Sequence, residues 1–483
     1  MNYRMIGRLL SQLVLLEAVC LIPAAAISLG FREWDGLTAI AISMGIMLAV
    51  SGILWHFCKK AKKSIGATEG MVTTSLAWIL LSLLGCLPLF ISGYIPRYID
   101  ALFEIVSGFT TTGSSIMPDV EILPHGLMYW RCFTHWLGGM GVLVLLLAIA
   151  PAGGKGQGFT MHLLRAESPG PDVGKLVPKM KKTAAILYCI YIAMTLLNVA
   201  ALLLGGMYWL DALCIAFGTA GTGGFGILNS SMASYSPYIQ IVTTVFLVLF
   251  GINFSCWYLL LLRQFRAVFR DEELRLYLGL FFGVALLIAV TIRPLYGTLG
   301  EAVRHSFFQV ATIMTTAGFA TTDFDLWPMF AKGLLLLLMV VGACAGSTGG
   351  GLKCARVLLL FKSLGRNIRR VTNSNRVDVV RINGKTVNET VVDNTNAYFA
   401  AYVIIIVVSF LLLCLDGQTV GTNFTAVLAC FNNIGPGLEA VGPTCNFSFY
   451  SDLSKLALIF DRLAGRLEIF PMLILFSKLT WKR

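Results

Sequence analysis

Four times along the chain an apolar stretch of about ten residues runs into a knot of small residues, and the four knots align. They are Thr111-Thr112-Gly113-Ser114, Thr222-Gly223-Gly224-Phe225, Thr316-Ala317-Gly318-Phe319 and Asn433-Ile434-Gly435-Pro436. With Gly113, Gly224, Gly318 and Gly435 superposed, the residue two earlier is Thr, Thr, Thr and Asn. The preceding stretches are 99–109, 210–220, 303–314 and 423–431. Ten residues of helix rise roughly 15 Å, half the thickness of a bilayer core. Such a segment is expected to enter the membrane and turn back, with protein or water shielding its backbone. Thirteen residues before each glycine stand Asp100, Asp211, His305 and Thr422. Three of these are types that cap a short helix.

Around the knots lie apolar blocks near the roughly 20-residue length that a bilayer demands. They are 9–29, a block ending near Phe57, 71–91, 127–150, 184–206, 239–262, 274–292, 332–345, 398–415 and 453–475. Hydrophobic residues make up 57% of the 483 and charged residues 13%, against about 45–50% and 25% in soluble domains. So little charge cannot cover a soluble enzyme or a disordered scaffold, and a membrane barrel would show short alternating strands. The fold class is an all-α polytopic membrane protein. The 12 cysteines are scattered without a C-x-x-C spacing and are expected to be small buried hydrophobes. The five histidines do not cluster, which leaves a membrane enzyme without a reaction centre.

The net charge of +12 sits in the loops. One side collects Arg4, Arg8, Lys59, Lys60, Lys62, Lys63, the loop 155–182, Arg263, Arg266 and Arg270. The stretch 353–385, with Arg366, Arg369, Arg370, Arg376 and Arg381, follows on that side, as do Lys482 and Arg483. The other side carries Arg32, Arg97 and Arg293. By the positive-inside rule the first side is cytoplasmic and holds both termini. Topology accounts for the basic balance, so nucleic acid is not an expected partner. The first block has no clear cleavage pattern and is expected to be a retained span.

Each knot lies between two full blocks. The unit span, half-helix, knot, span therefore occurs four times, after two extra N-terminal spans. The expected organisation is 1–65 for the two N-terminal helices and 66–182 for the first repeat with its basic loop. The second repeat takes 183–272, the third 273–396 with its linker, and the fourth 397–483. A half-helix entering from outside aims its partially negative C-terminal end at the membrane middle, where cations are favoured. A glycine there opens backbone angles closed to other residues, so a carbonyl can turn toward an axis. Four parallel loops offer a ring of oxygens that can replace the water around a bare cation. The expected architecture is a pseudo-fourfold pore.

The second span of the third repeat is interrupted by Ala345-Gly346-Ser347-Thr348-Gly349-Gly350-Gly351. Three consecutive glycines cannot sustain a strong helix. The break is either an intramembrane loop beneath the knots, able to swing and block, or a packing kink. The last span carries Arg466, a costly intramembrane charge. It either faces the pore as a barrier to cations or pairs with Glu468 or Asp461.

These motifs resemble the membrane subunits of the Trk/Ktr/HKT potassium-transporter superfamily, in particular the bacterial TrkH/TrkG-type branch. The carriers are SGFTTTGSS (107–115), HWLGGMG (135–141), GTGGF (221–225), MTTAGFATTD (314–323), GACAGSTGGGLK (342–353), NNIGPG (432–437) and GRLEIF (465–470). They span essentially the full length, and the two extra N-terminal spans fit the Trk branch better than the shorter Ktr one. The resemblance implies a K+ uptake pore of a bacterial cytoplasmic membrane, with no enzymatic activity and no bound cofactor. It implies a homodimer that works with a cytosolic RCK/KTN nucleotide-binding subunit. It also implies a K+ filter formed by Thr111, Thr112, Gly113, Thr222, Gly223, Gly224, Thr316, Ala317, Gly318, Asn433, Ile434 and Gly435. The implied gate is Gly346, Ser347, Thr348, Gly349, Gly350 and Gly351 with Arg466. Two positions depart from the pattern. His135 stands where Ktr-type relatives carry Gln, and Asn433-Ile434 replaces the Thr-rich form of the knot. The second bears on ion preference, so a Na+-permeable or Na+/H+-coupled transporter of the same architecture is the alternative.

The loop 365–396 contains Val379-Val380-Arg381-Ile382-Asn383-Gly384-Lys385-Thr386-Val387, two β-prone runs around Asn-Gly that read as a hairpin. It is a linker or a docking surface. No P-loop and no G-x-G-x-x-G after a strand occurs, so nucleotide control falls to a partner. A secondary transporter would show inverted pairs of broken spans with intramembrane acids. Here the repeats run parallel and no such pair is evident.

Overall fold

The computed structural model describes residues 1–59, 66–141, 180–373 and 378–481, without the side chains of 180–183. Lys60, Lys62, Lys63, nearly all of the loop 155–182, Arg376, Lys482, Arg483 and the block 127–150 beyond Gly141 lie outside the described residues. Among the described residues six helices are long and apolar enough to cross a membrane: Tyr3–Gly30, Trp34–Cys58, Ala67–Ile91, Ala184–Leu204, Glu272–Leu295 and Glu389–Asp416. The bent pair Pro237–Phe250 and Phe254–Leu261 makes a seventh if counted as one span. The chain is a multi-pass helical membrane protein.

The two N-terminal helices pack through small residues. Ser11 and Ser51 each donate to the other's carbonyl at 2.9 Å, the kind of polar contact that joins helices in lipid, where apolar surface gives no drive to associate. Behind them the four-part unit recurs. The half-helices are Tyr98–Phe109, Trp209–Gly221, Leu299–Met314 and Val420–Phe431. Their final turns are buried on every side, for example Ile105 to Phe109 and Ala426 to Phe431.

The helix starts differ from the sequence expectation. Asp100, Asp211 and Thr422 are the third residues of their helices, not the caps, and His305 lies well inside its helix. The caps that use a side chain are Thr298 and Thr419. An acid in the first turn still complements the positive helix end.

The second helices correct the sequence more strongly. Only the third was expected to break, yet all four stop at a similar point. His125–Gly139 ends before Gly141, whose φ is +83. Pro237–Phe250 turns by 90° into Phe254–Leu261, and the side chain of Asn253 accepts from Ser255 N–H to start the new helix. Met329–Val341 gives way to a loop before Cys354–Thr372. Asp452–Arg466 ends in two left-handed residues, Glu468 and Ile469, ahead of Phe470–Ile474. The continuous spans 239–262 and 453–475 are therefore each two helices. Hydropathy counts apolar residues along a line and does not register a bend.

The hairpin forms as expected. Arg381–Ile382 pairs antiparallel with Lys385–Thr386. Asn383 and Gly384 at its tip both have positive φ, +50 and +75, as a two-residue turn of this kind requires.

Candidate functional site

Each half-helix ends in the same way. Thr111, Thr222, Thr316 and Asn433 are left-handed, with φ of +54, +52, +62 and +56. The next N–H reaches back five residues: Thr112 to Ser107 (2.9 Å), Gly223 to Gly218 (2.7 Å), Ala317 to Thr312 (2.7 Å) and Ile434 to Ala429 (2.8 Å). This is the backbone closure that usually takes glycine at the left-handed position. Three threonines and an asparagine hold it here, at about 1–2 kcal/mol per residue. Gly113, Gly224, Gly318 and Gly435 follow, again at positive φ.

The four loops close into a ring. A Cβ added at Gly113 would strike the carbonyl oxygen of Gly223, and one at Gly224 that of Ala317. One at Gly318 would strike that of Ile434, and one at Gly435 that of Thr112. Loop one thus touches two, two touches three, three touches four, and four returns to one. All four glycines line a single cavity of about 140 Å³ together with Ser114, Phe225 and Pro436. Four helix C-terminal ends and four turned backbones around one cavity can stabilise a desolvated cation.

Side chains brace the ring. Asn433 Nδ2 donates to Thr112 Oγ1 at 3.0 Å and to the Arg462 carbonyl at 3.1 Å, joining loop four to loop one. His135 contacts the Gly108 carbonyl through Nδ1 at 2.8 Å and accepts Phe225 N–H at Nε2, 3.2 Å away. These partners require one tautomer, donating at Nδ1 and accepting at Nε2. A glutamine amide would likewise offer one donor and one acceptor.

Glu104 and Arg131 were not singled out in the sequence. They form an ion pair at 2.7 Å, 0% and 2% exposed. Glu104 also accepts Ile116 N–H at 2.8 Å, and Arg131 donates to the Gly226 carbonyl at 3.1 Å. The pair ties the chain leaving loop one to the chain leaving loop two. An acid inside an apolar half-helix and a base in the next helix of the same repeat were the available signal. Glu104→Ala leaves a buried guanidinium without its carboxylate, at an expected cost of about 3–5 kcal/mol. Thermal unfolding of the purified variant measures it, and an unchanged Tm counts against a bracing role.

The interrupting loop of the third repeat lies against loops three and four. Gly350 N–H donates to Thr316 Oγ1 at 2.5 Å. A Cβ at Gly349 would meet the Thr315 carbonyl, and one at Gly350 the Asn432 carbonyl and the Asn433 side chain. Arg466 donates to the Thr348 carbonyl at 2.8 Å and to the Gly138 and Gly139 carbonyls at 2.6 Å each. It therefore links the loop to the end of the first repeat. Of the two acids considered as its partner, Glu468 pairs with Arg356 and Asp461 accepts from Ser409 at 2.7 Å. Lys353, also missed, is 3% exposed, and its ammonium donates to the Gly349 carbonyl. A lysine two positions after three consecutive glycines was its sequence signal.

Comparison with known proteins gives the family and the overall fold. The profile of the TrkH family, described as cation transport protein, matches residues 36–296 and 295–482. The Trk system potassium uptake protein TrkH of Escherichia coli K12 is 35% identical over 489 residues, covering all of both chains. TrkG of the same strain is 32% identical, covering 100% of this chain and 99% of its own. The crystal structure of the potassium transporter TrkH from Vibrio parahaemolyticus superposes with a TM-score of 0.89, at 31% identity over the whole of both chains. Matched end to end in sequence and in fold, the chain belongs to the TrkH family of cation transport proteins.

Proposed function

We propose that the chain is the ion-conducting subunit of a Trk-type K+ uptake system in a bacterial cytoplasmic membrane, with both termini cytoplasmic. The observation that carries this reading is the closed ring of four left-handed loops around one cavity. The carbonyls of Thr111, Thr112, Gly113, Thr222, Gly223, Gly224, Thr316, Ala317, Gly318, Asn433, Ile434 and Gly435 are the K+ ligands. They replace the ion's water shell while the helix ends favour its charge. The loop from Gly346 to Gly351, held by Arg466, is the gate. Relatives named for potassium uptake support K+ as the cargo. The subunit works as a homodimer under a cytosolic nucleotide-binding RCK/KTN partner.

The test is radiolabelled Rb+ uptake into proteoliposomes holding the purified protein, with K+, Na+ and Li+ as competitors. Block by K+ at concentrations where Na+ barely competes is the expected result. Equal block by Na+ would replace the K+ filter with a Na+-permeable pore of the same architecture.

A further inference from the structure

Glu273 stands in the first turn of the helix Glu272–Ile292 and is 8% exposed. Its Oε1 accepts the N–H of Ala345 at 2.5 Å and the N–H of Ala355 at 3.0 Å. Ala345 opens the interrupting segment, and Ala355 lies in the first turn of the helix that resumes at Cys354. A single carboxylate oxygen therefore holds both ends of the loop. The contacts along the loop otherwise include Phe254 N–H to the Gly346 carbonyl at 3.0 Å and Cys344 N–H to the Gly251 carbonyl at 3.1 Å.

The neighbouring Glu272 engages a different part of the chain. It pairs with Lys362, accepts Asn383 N–H at 3.0 Å, and its own N–H donates to Asn383 Oδ1 at 2.8 Å. Asn383 Nδ2 donates to Asp271 at 2.8 Å. Asn383 is the exposed tip of the hairpin. Consecutive residues at one rigid helix end thus grip the intramembrane loop and the hairpin.

We propose that Glu273 is a positioning residue that latches the loop in its blocking place, and that the clasp between Asn383 and residues Asp271 and Glu272 makes the hairpin the handle that moves the latch. This rests on the loop being the gate. Amide bonds to a buried carboxylate are charge-assisted, and losing the acceptor leaves two amides unsatisfied in a low-dielectric site. A shift of the helix end by about 1 Å away from the loop takes the Ala355 bond beyond hydrogen-bonding distance and stretches the Ala345 bond to its limit.

The test is Rb+ uptake by the full-length protein in proteoliposomes with no other protein present. Glu273→Ala is expected to raise uptake about tenfold. Glu273→Gln keeps a carbonyl oxygen for the two amides and is expected to bring uptake back to within about twofold of the unsubstituted protein. General loss of structure would lower uptake in both variants instead, which overturns the latch. Deleting 346–350 in parallel separates the two readings. A raised flux in the deletion with none in Glu273→Ala overturns the latch and leaves the gate, whereas no rise in either overturns the gate as well. Asn383→Ala is expected to raise uptake about two- to threefold alone and to add nothing in the Glu273→Ala background. No effect alone, or a fully additive effect, overturns the handle.

Discussion

Gly113→Ser is expected to reduce discrimination between K+ and Na+ by roughly 5- to 30-fold while leaving a conducting protein. Gly113 has a φ of +81, and holding a side-chain-bearing residue in that region costs about 1–2 kcal/mol. The added Cβ would also strike the Gly223 carbonyl of the adjoining loop. Backbone cannot yield as a flexible side chain does, so one or both carbonyls must tilt. A tilt disturbs ligand geometry around the ion, and 1.4 kcal/mol of lost preference is about a tenfold change in ratio. Competition by Na+ against Rb+ uptake reads the effect directly. Unchanged discrimination in a folded variant would remove loop one from the filter.

Arg466→Ala, or deletion of 346–350, is expected to raise basal flux by roughly 30- to 150-fold, corresponding to about 2–3 kcal/mol. Among the described residues the guanidinium contacts carbonyls on the loop at Thr348 and on the first repeat at Gly138 and Gly139. Hydrogen bonds from a charged donor are the stronger kind, and these join two parts that must separate if the loop swings aside. On the proposed gating role, the substitution also removes a positive charge from the route of a cation. Rb+ uptake that stays at the basal level in both variants would exclude the loop and Arg466 as the barrier.

Much of this was legible because it is local. The length of an apolar block states whether it can cross a bilayer, and a glycine after a half-length helix states where the backbone can turn. Knots of the same form at four corresponding places implied equivalent roles before any contact was known. Asn383-Gly384 implied its hairpin for the same reason, since the turn depends on two residues alone. What was not legible depends on distant partners. Glu104 and Arg131 are 27 positions apart, and nothing in their spacing announces a buried pair. Arg466 was read against Glu468 and Asp461 because they are near in sequence, yet its carbonyl contacts lie 118 to 328 positions away. Glu273 is an acid at a helix start, and the amides it holds, Ala345 and Ala355, lie 72 and 82 positions away.

The sequence by itself determined that this chain lives in a membrane, that four half-length helices end in turned backbone, and that a glycine-rich break interrupts the third repeat. Those are consequences of residue type, length and period, which act over a few turns of chain. Only the tertiary structure decided that the four loops close into one ring, that all four second helices stop at a similar point, and that the loop is held by Arg466 on one side and Glu273 on the other. The physical reason is that buried polar groups must find partners wherever the fold brings them, and in a packed bundle those partners are set by geometry in space.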